Sequence, residues 1–201
     1  MARTILFVAC CAMLATAPGC ESQAPVAAAP PVVVEIETGK GAITAELDAA
    51  HAPETVANFL RYVDAGLYEG GRFHRTVRAD NQPGDQVRIE VVQGGPDPAV
   101  AGRGFPPVKL ERTSRTGLRH VDGTLSMARA DPDSATADFF VCVGDQPELD
   151  EGGRRNPDGQ GFAAFGRVVR GMDVVRAIHE SPAEGQRLAP PVPIERVRRT
   201  R

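Results

Sequence analysis

The sequence has no tryptophan, few aromatic residues and no excess of basic residues. Aromatic side chains make up 5% of the 201 residues, and 23 Lys and Arg stand against 26 Asp and Glu, for a net charge of −3. Without a basic excess to neutralise phosphates, a dedicated nucleic-acid-binding protein is excluded. A hydrophobic content of 42% excludes disordered and fibrous chains, and the length fits one domain with a real core.

Helix signals are also few, whereas turn-forming residues are many, with 21 glycines and 17 prolines. Two helices are predicted, one from Pro53 to just before Gly66, where apolar residues recur every three or four positions, and a shorter one at 172–180. A hairpin is predicted at 32–47, and further strands at 72–77, 87–93, 123–129, 138–143, 161–170 and 193–197. This pattern predicts a mainly β fold, a closed eight-stranded antiparallel barrel capped by two helices, because closure removes exposed strand edges.

The amino-terminal segment differs in composition from the rest of the chain. Residues 1–19 contain one charge and an apolar run too short to cross a bilayer, and they predict a secretory signal peptide. The residues Ala17-Pro18-Gly19-Cys20 resemble a bacterial lipoprotein cleavage box, in which Cys20 is acylated; an ordinary cut after Ala17 is the alternative. Residues 20–31, rich in Ala and Pro, are then a tether, and 32–201 form the folded domain. We therefore expect an exported protein, either lipid-anchored in a membrane and facing the periplasm or cell exterior, or soluble in the periplasm.

Cysteine and histidine are too sparse for a disulfide framework or a metal site. Of the four cysteines, Cys10 and Cys11 lie in the predicted signal peptide and Cys20 would carry lipid, so Cys142 alone remains and no intramolecular disulfide is expected. Its apolar neighbours predict a buried, inert thiol, and the alternative of a catalytic cysteine has no activating pattern beside it. The four histidines show no metal-ligand spacing, so no metal is predicted.

Four separated segments carry one recognisable pattern. They are Phe73-His74-Arg75, Gln93-Gly94-Gly95, Gly123 to Ala128 followed by Ser134 to Phe140, and Phe165 to Asp173. In this order the segments resemble the cyclophilin-type peptidyl-prolyl cis-trans isomerases, over about residues 32–198. The resemblance implies a cyclophilin-like barrel and a cofactor-free enzyme that binds proline-containing polypeptides.

The reaction of such an enzyme defines what its site needs. Rotation about the peptide C–N bond is opposed by a barrier of about 18–20 kcal/mol. The catalyst holds the chain, accepts the proline ring in an apolar hollow and stabilises the twisted amide, whose nitrogen has regained a lone pair. The resemblance implies that Arg75 donates to this amide and that Gln93 orients the substrate backbone. The alternatives are a surface salt bridge for Arg75 and a strand-end polar residue for Gln93.

His74 is predicted to serve structure rather than catalysis, because strand alternation turns it away from Phe73 and Arg75. For substrate binding, the resemblance implies an apolar pocket and a strand along which the substrate backbone lies. The pocket residues are Val91, Phe140, Leu149 and Phe162, and the strand residues are Ala128, Arg129 and Ala130. Asp138 stands where the family has glutamine, Glu90 where it has phenylalanine and Glu148 where it often has tryptophan. We expect these acidic residues to ring the pocket, where they either favour basic residues beside the proline or reduce catalysis.

Two functions are compatible with these patterns. The first is a monomeric, exported peptidyl-prolyl cis-trans isomerase that acts on Xaa-Pro bonds and assists the folding of exported proteins. The alternative is a proline-segment binding module or holdase chaperone with little turnover, motivated by the acidic residues. Intact Arg75 and Gln93 favour the enzyme.

Overall fold

The structure, a computed structural model, describes residues 31–200. The predicted signal peptide, Cys20 and all of the predicted tether except Pro31 lie outside these residues. The elements follow in the order β1 (Val32–Thr38), β2 (Gly41–Leu47), α1 (Pro53–Asp64), β3 (Gly71–Val77), β4 (Val91–Gly95), α2 (Thr113–Thr116), β5 (Thr124–Met127), β6 (Phe139–Cys142), β7 (Ala163–Arg170), α3 (Met172–His179), β8 (Ala183–Glu184) and β9 (Arg187–Arg199). No helix between residues 31 and 200 is both long and apolar enough to span a membrane.

Eight of the strands close into a barrel. They pair in the order β1, β2, β7, β5, β6, β4, β3 and β9, and β9 pairs back onto β1, always antiparallel. The two-residue strand β8 pairs with β9 as one arm of a hairpin outside this ring. The predicted mainly β, closed, eight-stranded antiparallel barrel is therefore confirmed.

Both predicted helices form and pack on the barrel. α1 starts with Pro53, buries Val56, Phe59 and Val63, and contacts β7 and β9. α3 buries Val175 and Ile178 and contacts β2, β3 and β4. The prediction of two helices misses α2, because a single turn is too short to show a helical period in the sequence.

The barrel carries two separate apolar clusters, one inside it and one on its outer face. Side chains alternate along a strand, and one set, contributed by every barrel strand and including Val92, Phe139 and Phe165, forms a buried cluster that fills the barrel. A second cluster, which we term the outer cluster, consists of Val77, Ile89, Val91, Phe140, Cys142 and Leu149. It arises from the opposite alternation of β3, β4 and β6, and four of its residues, Ile89, Val91, Phe140 and Leu149, form the floor of the candidate site.

β4 begins at Val91, later than the predicted strand at 87–93. The side-chain amide of Gln82 takes the place of a neighbouring strand at Ile89. Gln82 Oε1 accepts from the Ile89 backbone nitrogen at 3.1 Å, and Gln82 Nε2 donates to the Ile89 carbonyl oxygen at 2.8 Å. Ile89 therefore stays in a loop although its side chain belongs to the outer cluster.

Candidate active site

A β-bulge in β3 brings two polar side chains to the outer face. Phe73 pairs with Gly94 and Arg75 pairs with Gln93, so His74 is an extra residue in β3. Phe73 belongs to the cluster inside the barrel, whereas His74 and Arg75 line the same surface hollow. The prediction that His74 turns away from Arg75 is wrong, because regular strand alternation fails at a bulge.

A chain of polar contacts joins Arg75 to Asp138. Arg75 Nη1 donates to Gln93 Oε1 at 3.0 Å, and Gln93 Nε2 donates to Asp138 Oδ2 at 3.1 Å. The same Asp138 oxygen lies 3.5 Å from His74 Nε2. The two residues predicted to be catalytic therefore contact each other directly, and Asp138 fixes the far end of the Gln93 amide.

Arg75 is partly withdrawn from water, and its charge environment is mixed. Burial lowers the pKa of Arg75, the positive charge of Arg155 lowers it further, and Asp85 acts in the opposite direction. Arginine nevertheless stays protonated in proteins, because its ordinary pKa exceeds about 12. The site thus holds a permanent hydrogen-bond donor in surroundings that strengthen its electrostatic interactions.

An apolar hollow lies beside this donor, in a cavity of about 670 Å³. Its lining includes every residue predicted for catalysis or substrate binding: Arg75, Gln93, Val91, Ala128, Arg129, Ala130, Asp138, Phe140, Leu149 and Phe162. The rings of Phe140 and Phe162 meet edge to face, with centroids 5.3 Å apart. Residues of the outer cluster thus form an apolar floor, and the volume of the cavity lies in the range of pockets that bind small ligands.

Buried polar groups support this floor from behind. His120 stacks on Phe140 with ring centroids 6.0 Å apart, and its two ring nitrogens contact Asp150 Oδ1 at 2.7 Å and Ser126 Oγ at 2.9 Å. Burial acts to raise the pKa of Asp150, but hydrogen bonds from His120 and Arg119 outweigh it and hold that pKa below its usual value. Asp150 follows Leu149 directly, so the network fixes two residues of the floor.

Arg129 lines the cavity, but its guanidinium is engaged elsewhere. Arg129 Nε donates to the Gly161 carbonyl oxygen at 2.8 Å, and Nη1 pairs with Asp158 Oδ2 at 2.8 Å. Its Cζ lies 5.2 Å from the centroid of the Phe162 ring. Arg129 therefore fixes the loop that carries Phe162, and since its side chain is 0% exposed, only its backbone is open to a substrate.

Of the three acidic residues expected around the pocket, only Asp138 lines the cavity. Glu148 Oε1 pairs with Arg154 Nη2 at 3.0 Å, and Glu90 Oε1 lies 3.4 Å from the backbone nitrogen of Ala79. The expected acidic ring is not formed, because both glutamates turn to partners in neighbouring loops.

Among the polar residues that sequence reasoning missed at the site, three act on Arg75 by charge or by hydrogen bond. Asp85 and Arg155 come from two separate loops, line the cavity and form an ion pair of 3.0 Å between Oδ2 and Nη1. Gln186, from the turn between β8 and β9, contacts the guanidinium of Arg75. None belongs to the four matching segments, and only the folded chain brings them together.

A second hollow of about 1000 Å³ adjoins the first. The two share Arg75, Thr136 and Asp138, and the second continues past His74 to Phe105 and Leu188. An extended peptide that passes Arg75 therefore has space on both sides of that residue.

Cys142 has no direct access to this space. It is a free thiol, fully buried in the outer cluster, and burial raises its pKa, as expected for an inert cysteine. Among residues 31–200, the structure brings together no group of three or more His, Cys, Asp or Glu side chains suited to a metal ion.

Comparison with known proteins agrees with this geometry. Residues 33–199 match the family described as cyclophilin type peptidyl-prolyl cis-trans isomerase/CLD. The chain is 37% identical over 173 residues to the peptidyl-prolyl cis-trans isomerase cyp18 of Streptomyces antibioticus, covering 82% of this chain and 93% of the relative. It is 36% identical over 148 residues to the peptidyl-prolyl cis-trans isomerase B of Escherichia coli K12, covering 73% and 83% respectively. The chain belongs to the cyclophilin-type peptidyl-prolyl cis-trans isomerase family.

Solved structures show the same fold. A crystal structure of a cyclophilin type isomerase from Cryptosporidium parvum matches with a TM-score of 0.69 at 21% identity, over 86% of this chain and 99% of that one. A second structure of that protein, in the presence of the dipeptide Ala-Pro, matches with a TM-score of 0.67 at 22% identity, over 84% and 99%. At these identities the likeness concerns the fold, and it agrees with the closed barrel.

Proposed function

We propose that this protein catalyses the cis-trans isomerisation of Xaa-Pro bonds and assists the folding of exported proteins. One observation carries the proposal: Arg75, held by Gln93, borders an apolar hollow floored by Phe140 and Leu149. A proline ring needs an apolar hollow, and its amide needs a donor at the hollow's edge. The site is complete within one chain, so the proposed active form is a monomer, which sedimentation equilibrium checks.

The proposed mechanism breaks no covalent bond, so the side chains need only bind the substrate and stabilise the twisted amide. In the planar amide the nitrogen lone pair is delocalised and accepts hydrogen bonds poorly. As the C–N bond rotates, the lone pair returns to nitrogen and becomes an acceptor for the Arg75 guanidinium. The interaction is therefore stronger in the transition state than in either ground state, which is the condition for raising kcat.

The remaining groups hold the chain on either side of that bond. Gln93 presents its oxygen to Arg75 and its nitrogen to Asp138, so its amide edge is fixed beside the hollow. The segment from Ala128 to Ala130 lines the same cavity, and an extended substrate is proposed to lie along it. The Ala-Pro dipeptide named with the Cryptosporidium parvum structure supports the choice of an Ala-Pro peptide as the first probe.

Exchange NMR on a short Ala-Pro peptide tests the proposal, with the purified wild-type protein beside Arg75→Ala. We expect the wild type to accelerate exchange between the cis and trans signals, and Arg75→Ala to lower that rate about tenfold to a thousandfold, the scale of one lost transition-state donor. Circular dichroism and thermal unfolding of both proteins verify that the variant stays folded. Peptide shifts without faster exchange would contradict the enzyme and support the proline-binding module.

Export and lipid anchoring form a further part of the proposal, supported by the sequence pattern of residues 1–31. β1 starts at Val32, directly after the Ala/Pro-rich stretch, which is consistent with a tether that leads into the domain. In cells supplied with labelled fatty acid, we expect the wild type to carry label and to sediment with membranes. Cys20→Ser should lose both properties, and label or membrane retention in that variant would exclude acylation at Cys20.

A further inference from the structure

The hairpin between β8 and β9 reaches the guanidinium of Arg75. Glu184 pairs with Arg187 across the two-residue turn Gly185-Gln186, and Gly185 has a φ of +59°. Glycine with positive φ at the first of two turn residues is typical of a type II′ hairpin. The backbone nitrogen of Thr76 donates to the Gln186 carbonyl oxygen at 2.9 Å, which ties the turn to β3 beside Arg75.

The Gln186 side chain accepts two hydrogen bonds from Arg75. Arg75 Nε and Nη2 lie 3.0 Å and 2.6 Å from Gln186 Oε1, while Nη1 donates to Gln93 Oε1 at 3.0 Å. Of the five N–H groups of a guanidinium, three are thus committed to two glutamines, and two are left for a substrate. Because these contacts come from β4 and from the hairpin, they fix both the position and the plane of the group.

A second layer of contacts holds the turn and the Gln186 amide. Asn81 Nδ2 donates to the carbonyl oxygens of Thr76 and Gly185, each at 3.0 Å. Gln186 Nε2 lies 3.4 Å from the Asn81 carbonyl oxygen. Since the nitrogen end of the amide has this partner, the oxygen end stays turned towards Arg75.

The neutrality of Gln186 matters for the chemistry. A carboxylate in the same place would also hold Arg75, but its negative charge would offset the positive charge that the twisted amide requires. An amide oxygen accepts the same hydrogen bonds and leaves the net charge of the guanidinium in place. The positive charge of Arg155 repels that of Arg75, so the long Arg75 side chain needs a fixed partner to keep its position.

We propose that Gln186 is a positioning residue, which holds the Arg75 guanidinium against the substrate amide and acts on turnover only through Arg75. The proposal rests on the proposed isomerase function for its kinetic part. Its structural part, the restraint of Arg75, is measurable without any substrate.

The first measurement is the NMR signal of Arg75 Nε–H, assigned by its loss in Arg75→Ala. We expect this proton to exchange slowly with water in the wild type and in Gln186→Glu, which keeps an acceptor, and to exchange fast in Gln186→Ala. Glu184→Ala, in the same hairpin and exposed, is the matched control and should leave the signal unchanged. An unchanged signal in Gln186→Ala would overturn the proposal, even if the wild type proved not to be an isomerase.

The second measurement is the isomerisation rate. Gln186→Ala should lower kcat about tenfold to a hundredfold with little change in KM, the scale of a misplaced catalytic group. Gln186→Glu should give a rate between those of the wild type and Gln186→Ala, because it restores the position but offsets the charge. In the Arg75→Ala background, Gln186→Ala should have no further effect. A further loss there would show that Gln186 acts independently of Arg75 and would overturn the positioning role.

Discussion

Gln93 Nε2 donates to Asp138 Oδ2 over 3.1 Å, so a carboxylate fixes the amide that faces Arg75. A carboxylate can only accept hydrogen bonds, which leaves Gln93 one orientation, with nitrogen towards Asp138 and oxygen towards Arg75. The glutamine found in relatives at this position, according to the resemblance, can present either end of its own amide. Asp138 therefore orders the site, a role separate from the two expected from its acidity, a preference for basic residues beside the proline or reduced catalysis.

Removing the Asp138 carboxylate should release the Gln93 amide and slow the reaction. We expect Asp138→Ala to lower kcat/KM about threefold to tenfold, equivalent to about 0.5–1.5 kcal/mol for one hydrogen bond. Asp138→Asn keeps an oxygen acceptor and should retain most of the activity. The rates follow from exchange NMR on the Ala-Pro peptide, and equal losses in both variants would show that the charge of Asp138 matters and not its hydrogen bond.

The sequence predicts the barrel and the motif-bearing part of the site, because strand patterns and short segments are local properties. Arg75, Gln93 and Phe140 each lie within one of the short matching segments, and all three line the cavity. The position of His74 was predicted wrongly, since a bulge depends on how β3 pairs with β4 and on nothing in its own residues.

The contacts that come from long loops are not visible in the sequence. Asp85 and Arg155 are far apart in the chain, and their ion pair exists only because two polar loops fold over the same edge of the cavity. Glu90 and Glu148 show the converse: their acidity is evident in the sequence, but the partners that turn them away from the cavity are not.

Phe162 forms one wall of the hollow and should contribute to substrate binding more than to stability. It is only partly buried and meets Phe140 edge to face. Phe162→Ala should raise the KM for the Ala-Pro peptide about fivefold to thirtyfold, equivalent to about 1–2 kcal/mol of apolar contact. The exposed Val169→Ala on β7 is the control and should leave KM unchanged. If Phe162→Ala lowered kcat alone, the proline ring would have to lie elsewhere.

The ion pair between Asp85 and Arg155 should join the two loops that border the cavity. Arg155 Nη1 also donates to the Val87 carbonyl oxygen at 2.7 Å, so one guanidinium holds two points of the neighbouring loop. In Arg155→Ala we expect faster amide hydrogen exchange at 82–90, because losing a partly exposed ion pair should lower the free energy of local opening there by about 0.5–1 kcal/mol. Arg154→Ala, which removes the adjacent exposed pair with Glu148, should leave exchange at 82–90 as in the wild type. Equal exchange in both variants would mean that the loops pack without the Arg155 contacts.

Asp150 should stabilise the fold in a pH-dependent way, because its contact with His120 is buried behind the floor of the hollow. The side chains of His120 and Asp150 are 0% and 7% exposed. Removing one partner of such a pair leaves the other buried without its hydrogen bond, so Asp150→Ala should lower the free energy of unfolding at pH 7 by about 1–3 kcal/mol. Urea unfolding followed by circular dichroism measures this difference, and the exposed Glu69→Gln is the control that should show none.

The pH dependence follows from the lowered pKa of Asp150 in the folded state. A carboxyl group whose folded pKa lies below its unfolded value, about 3.9, stabilises the protein above that value and loses the contribution as the pH falls through the folded pKa. The difference in unfolding free energy between the wild type and Asp150→Ala should therefore be constant from pH 7 to about pH 5 and shrink below about pH 4. A difference that stayed constant into the acid range would mean that Asp150 supports the floor by packing and not through its charge. In that case the hydrogen bonds to His120 would not be what keeps Phe140 and Leu149 in place.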